Sequence, residues 1–291
     1  MSYGYTQRSA SPVRFLPILL ALIVAGITVV RGCDHGPFGR SRVVGLSPAQ
    51  ETQLGAQAFQ QVLHESRVVQ SGPAVDAVQR VARRIAEASA RSDVGQALGI
   101  PPRQFEWQFR LVQSPQVNAF CLPGGKVVVY TGILPVAENE AGLATVLGHE
   151  IGHALARHSA ERMAQEKLVR LGESAVASSI GDLSPESQRQ VMAVLGAGSN
   201  VGILLPFSRR HESEADHIGL ILMAAAGYDP AEAPRFWERM SHIGGSRQPE
   251  FMSTHPGAEH RYRDLQGWLG DALPFYRNSQ KQDGARPLPR R

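Results

Sequence analysis

Cysteine is nearly absent. Cys33 and Cys121 are the two in 291 residues, far apart and in unlike surroundings, so no disulfide framework carries the fold. An excess of one charge is also missing. Thirty basic against 26 acidic side chains leave a net +4, spread along the chain and too weak to attract a nucleic acid, so no nucleic-acid partner is expected. Aromatic residues supply only 7%, and no internal repeat divides the chain. A hydrophobic content of 43% is nonetheless ample for a real core.

Long apolar runs are limited to one. From Phe15 to Val30 there is no charge and Thr28 is the one polar side chain, with Arg8 and Arg14 before it and Arg31 after. As a helix this run spans about 24 Å, slightly less than the ~30 Å hydrocarbon core of a bilayer. It is expected to be an uncleaved signal anchor, because no small-x-small cleavage site closes it. Arg31 beside Cys33 fits a lipoprotein signal poorly. Arginines flank both ends, so charge leaves the orientation open. The expected organisation is a polar lead over 1–14, a membrane segment over 15–31, a linker over 32–46, a folded domain over 47–277 and a disordered basic tail over 278–291.

Ser47-Pro48-Ala49-Gln50 joins an N-cap serine, a proline at the first helical position and a glutamine three residues on, so a helix is expected from there to about His64. A second runs from Pro73 to about Ala90 with Val75, Val78, Val81 and Ile85 on its apolar stripe. Between Phe105 and Thr131 the period changes to two, over Phe105 to Leu111, Val117 to Leu122 and Lys126 to Thr131, which reads as a small antiparallel sheet. Helices return from Glu138 to about Arg170 and over Arg209–Ala226, Pro230–Ile243 and about Ala258–Leu269, while the serines and glycines of 172–200 read as a looser cover. The fold class is α+β, mainly helical.

His149-Glu150-Ile151-Gly152-His153 is an H-E-x-x-H pattern inside an apolar helix. Residues four apart share a helix face, so both imidazoles meet one ion while Glu150 leans toward the same cleft. Zinc in a hydrolytic site takes three protein ligands and keeps a position for water. The best source of the third is Glu212, with Asp216 one turn on to orient a ligating histidine. His211 and His217 are rival ligands, and Glu214 reads as a solvated or salt-bridged helix face. Glu150 then takes a proton from the attacking water and passes it to the leaving amine. His255, in Ser253-Thr254-His255-Pro256, is the candidate donor to the oxyanion or a reversible fourth ligand.

These segments, together with Asn118-Ala119-Phe120, Leu122-Pro123-Gly124-Gly125 and Tyr130-Thr131-Gly132, resemble the gluzincin-type zinc metallopeptidase family that includes the CAAX prenyl protease, HtpX, BepA and LoiP, in its branch with one anchor and a soluble domain. The resemblance implies a zincin-like domain with its small sheet beside the active-site helix, one zinc ion on His149, His153 and Glu212, Glu150 and His255 in catalysis, and Asp216 behind a ligand. It also implies that Asn118, Ala119 and Phe120 receive substrate as an added strand, with 172–200 as a lid. Unfolded or misfolded polypeptides are the expected partners, and the expected location is a bacterial inner membrane with the catalytic domain outside the cytoplasm. A zinc-stabilised chaperone with little proteolysis is the competing reading, and a prenyl-type processing enzyme fits less well with one membrane segment.

Overall fold

The computed structural model describes residues 15–101, 105–180, 184–191, 208–243, 250–255 and 258–289. It is mostly helical with two small sheets, as the α+β reading expects. The apolar run forms helix α1 (Leu16–Gly32), 17 residues long, and no helix among the described residues is long and apolar enough to cross a membrane. The expected linker is not a spacer. It folds as a hairpin of strands β1 (Cys33–His35) and β2 (Ser41–Val43), tied to the domain by arginines.

Helix α2 (Pro48–Glu65) starts with the capping box: Gln50 N donates to Ser47 Oγ at 3.3 Å and Ser47 N to Gln50 Oε1 at 2.9 Å. After the short strand β3 (Val68–Val69), helix α3 (Pro73–Ser89) buries Ala77, Val78, Val81 and Ile85 in the main core, and α4 (Ser92–Leu98) follows.

The sheet differs from the expectation in one pairing. Strands β4 (Gln108–Val112), β5 (Ala119–Leu122) and β6 (Lys126–Tyr130) join β3 in the order β3-β4-β6-β5, and β4 pairs with β6 in parallel while the other two pairs are antiparallel. The sheet is therefore mixed. The tight β5–β6 hairpin inserts β6 beside β4, because β6, with Val127, Val128 and Val129 fully buried, belongs at the centre, and β5 is left as an edge strand.

Helices α5 (Leu134–Ala137), α6 (Glu140–Leu155) and α7 (His158–Ser179) come next. Arg157 takes φ 57°, which breaks the expected single helix into α6 and α7. Helix α6 is buried on almost every face. It packs most closely on α8 (Arg209–Ala225), and α9 (Glu232–His242), α10 (Glu250–Thr254) and α11 (Ala258–Arg277) close the domain around that pair.

Residues 278–289 of the tail are ordered where a disordered segment is expected. Arg286 O and Gly284 O accept from Glu140 N and Ala141 N at 3.0 Å each, and Asn139 Oδ1 accepts from Gly142 N at 2.9 Å. Those are the donors that the first turn of α6 leaves without helical partners. Leu288 is buried beside them. A polar composition reads as disorder, but here it is the tail's carbonyls that do the capping.

Candidate active site

The site stands on two helices in backbone contact. A Cβ on Gly148 would meet Gly219 O at 2.8 Å and one on Gly152 would meet Ala215 O at 2.8 Å, so α6 and α8 approach as closely as peptide dimensions allow. That brings the H-E-x-x-H face of α6 against Glu212 and Asp216 on the first two turns of α8. His149, Glu150, His153, Glu212 and Asp216 are all buried.

His149, His153, Glu212 and His255 form one group. His149 Nε2 lies 3.0 Å from His153 Nε2, 3.2 Å from His255 Nδ1 and 3.3 Å from Glu212 Oε2. Glu212 Oε1 is 3.4 Å from His153 Nε2, and Glu212 Oε2 is 3.0 Å from His255 Nδ1. A tetrahedral zinc with ligands near 2.0–2.1 Å needs ligand-to-ligand edges of about 3.3 Å, so the donor atoms fit the ion in type and spacing. Electrostatics agrees. Burial and the Arg261 charge push the His149 imidazole down, but Asp216 and Glu212 outweigh them and bring it up to about 9. Burial takes His153 down to about 3 against the pull of Glu212. Burial also works against ionisation of Glu212, yet the surrounding imidazoles hold its carboxyl well below the usual range.

Asp216 Oδ1 is 2.9 Å from His149 Nδ1, as expected for the residue that orients that ring. Glu150 Oε2 accepts from Cys121 N of β5 at 3.0 Å, and its Oε1 is 3.5 Å from His255 Nε2. Burial pushes the Glu150 carboxyl above the ordinary carboxylate range, partly opposed by His255 and His149. His255 is carried in by α10, whose Phe251 N donates to Val117 O at 3.1 Å just before β5. Pro256 lies outside the described residues, as do parts of the expected lid over 172–200; residues 172–179 are the end of helix α7.

The rival ligands are engaged elsewhere. His211 Nε2 faces Glu161 Oε2 at 3.2 Å, and His217 Nε2 faces Asp271 Oδ2 at 2.9 Å. Glu214 is salt-bridged as expected but buried rather than solvated, between Arg40 Nε at 2.7 Å and His158 Nε2 at 3.1 Å. Asn118 Oδ1 accepts from Ala119 N at 2.9 Å on the edge strand. The Phe120 side chain packs with Phe59 of α2 on the other face of the sheet.

Residues 75–269, most of the chain, match the model of peptidase family M48. The chain belongs to peptidase family M48. It is 38% identical over 277 residues to the mitochondrial metalloendopeptidase OMA1 of Schizosaccharomyces pombe, covering 93% of this chain and 77% of that protein. It is 32% identical over 283 residues to the protein of the same name from Saccharomyces cerevisiae, covering 89% and 76%. The beta-barrel assembly-enhancing protease of Escherichia coli is 30% identical over 176 residues, 58% of this chain and 36% of that protein. This M48 member is a metalloendopeptidase, and zinc is its metal.

One residue of the M48 site escaped the sequence reading. Arg261 of α11 donates through Nε to Asp216 Oδ2 at 2.6 Å and through Nη1 to Glu212 Oε2 at 3.1 Å, and its guanidinium lies 3.4 Å from the centre of the Trp237 ring. The signal was present. Arg261 shares a helix face with Leu265 and Ala272, both buried, and a charge on an apolar stripe calls for a partner.

Proposed function

We propose that this chain is a membrane-anchored zinc endopeptidase that degrades misfolded or damaged membrane and envelope polypeptides, with its catalytic domain on the extracytoplasmic side of a bacterial inner membrane. The observation that carries the reading is the convergence of His149, His153 and Glu212 within 3.4 Å of one another, with Glu150 facing the same cleft. In this reading those three residues hold zinc and Asp216 fixes the His149 ring. When bound, zinc lowers the pKa of water toward ~7 and polarises the scissile carbonyl. Glu150 leaves the Cys121 N–H to take the water's proton and later gives it to the departing amine. His255 leaves the metal ligands to donate to the developing oxyanion, or returns to them at rest.

Substrate is received along β5. The free edge of that strand offers main-chain groups of Ala119, and recognition by main-chain pairing is tolerant of sequence, as unfolded clients require. Asn118 tunes the edge through its bond to Ala119 N, and Phe120 holds the strand in place, its main chain facing Val128 of β6. Leu19, Leu20, Leu22, Ile23 and Val30 on α1 are half or more exposed, which supports lipid as their cover, with 1–14 as the polar lead and 47–277 as the catalytic domain. The name of the Escherichia coli relative, a protease that enhances beta-barrel assembly, supports an envelope quality-control role.

The test is cleavage of unfolded casein by the full chain in lipid nanodiscs, comparing wild type with Glu150→Gln and measuring zinc in both. Wild-type cleavage with a zinc-loaded, inactive Glu150→Gln is expected. Zinc-loaded wild type that binds casein without cutting it would move the chaperone reading ahead, and a folded wild type without zinc would refute the site.

A further inference from the structure

On the side of His153 away from the cleft lies a chain of groups, buried from His153 to Glu214 and closed by the half-buried Arg40, that the mechanism above does not use. His153 Nδ1 is 2.8 Å from His158 Nδ1. His158 Nε2 is 3.1 Å from Glu214 Oε2, and the same oxygen accepts from Arg40 Nε at 2.7 Å. The remaining arms of Arg40 donate to Glu161 Oε1 and Oε2 at 2.9 and 2.7 Å. His158 is fully buried.

The protons on this chain have one consistent order. A His153 that offers Nε2 to a cation carries its hydrogen on Nδ1 and donates it to His158 Nδ1. His158 then has its own hydrogen on Nε2 and donates to Glu214. The Glu214 carboxylate, buried beside a neutral ring, is balanced by the Arg40 guanidinium. Reversing any contact leaves two hydrogens, or none, between a pair of atoms.

Arg40 comes from the turn between β1 and β2, directly after the apolar helix. That turn is fixed by Phe38, which takes φ 53° and stacks on His217 with ring centres 4.5 Å apart. We propose that Arg40 is a positioning residue for the metal centre: through Glu214 and His158 it fixes the tautomer and orientation of His153, so the β1–β2 hairpin is part of the zinc site's outer framework. The proposal rests on His153 being a zinc ligand.

Arg42 supplies the control. It pins the same hairpin, donating through Nη1 to Ala156 O and through Nη2 to Asp34 Oδ2, without touching the relay. Zinc transfer to a chelator and casein kinetics are measured on the full-length zinc-loaded protein for wild type, Arg40→Ala, Arg42→Ala, His158→Phe and the Arg40→Ala/His158→Phe double variant. Arg40→Ala is expected to lose zinc about tenfold more readily than wild type, with kcat lowered and KM unchanged, while Arg42→Ala retains zinc like wild type. The double variant is expected to match His158→Phe alone. Equal zinc loss from Arg42→Ala, or effects of Arg40 and His158 that multiply, would overturn the proposal. Should Arg40→Ala not fold, Glu214→Gln decides: it keeps the hairpin's bonds to Glu161, is expected to loosen zinc to the same degree, and wild-type retention there overturns the inference. A wild type that binds no zinc refutes the ligand reading itself.

Discussion

Asp216 Oδ1 lies 2.9 Å from His149 Nδ1, and the other oxygen of the same carboxylate receives Arg261 Nε at 2.6 Å. One carboxylate therefore answers to the His149 ring through Oδ1 and to the Arg261 guanidinium through both oxygens. Replacing Asp216 with asparagine turns one of these contacts repulsive, because its NH2 group must face either the guanidinium or a ring N–H. Zinc affinity is expected to fall roughly 10- to 100-fold with the fold intact, as chelator competition and thermal melting would together establish.

Arg261→Met should act on stability before it acts on chemistry. It leaves Glu212 and Asp216 buried without their shared cation, and uncovering a buried ion pair in this way costs about 3–5 kcal/mol. Urea unfolding of the zinc-free protein should show that loss. With Glu212 holding the metal as proposed, added zinc should recover part of it, because binding to the folded state alone stabilises that state.

Two kinds of glycine should respond in opposite directions to the same change. A Cβ on Gly219 would stand 2.7 Å from His149 N, against backbone that cannot give way, so Gly219→Ala is expected to destabilise by about 1–3 kcal/mol and to abolish cleavage. Gly267 of α11 has nothing within 4 Å of the same position. Gly267→Ala is expected to stabilise by about 0.5–1 kcal/mol through helix propensity, with activity unchanged.

Glu161 gives the acid limb of stability. Burial opposes its charge, but His211 and Arg40 bring its carboxyl from 4.5 to about 2. The folded state thus binds its proton more weakly than the unfolded chain does. Its contribution is complete above pH 4.5 and is lost as pH falls toward about 2. The urea midpoint should drop across that window, and the drop should be shallower in Glu161→Gln.

Much of this was legible along the chain. The capping box at Ser47, the stripe of α3 and the H-E-x-x-H turn are local patterns, and each formed where its residues lie. The parallel pairing of β4 with β6 was not legible, because strand alternation is the same whichever way the neighbour runs. Glu214 and Arg40 were hidden for a different reason. Arg40 lies in what reads as a linker and Glu214 on what reads as a solvated or salt-bridged helix face, and their pairing joins residues 174 positions apart. The tail was misread because composition reports side chains, whereas its task falls to main-chain carbonyls. Arg261 could have been found as the lone charge on the inner face of its helix.

The glycine seam between α6 and α8 has a further consequence. The separation of His149 from Glu212 is set by main chain resting on main chain, a dimension with no rotamers and no adjustable volume. Apolar residues elsewhere in the core can be exchanged, and their neighbours can repack, without the ligand spacing following. Mutational drift over most of the interior is in this way mechanically decoupled from the metal cage, and sensitivity is concentrated at Gly148, Gly152 and Gly219.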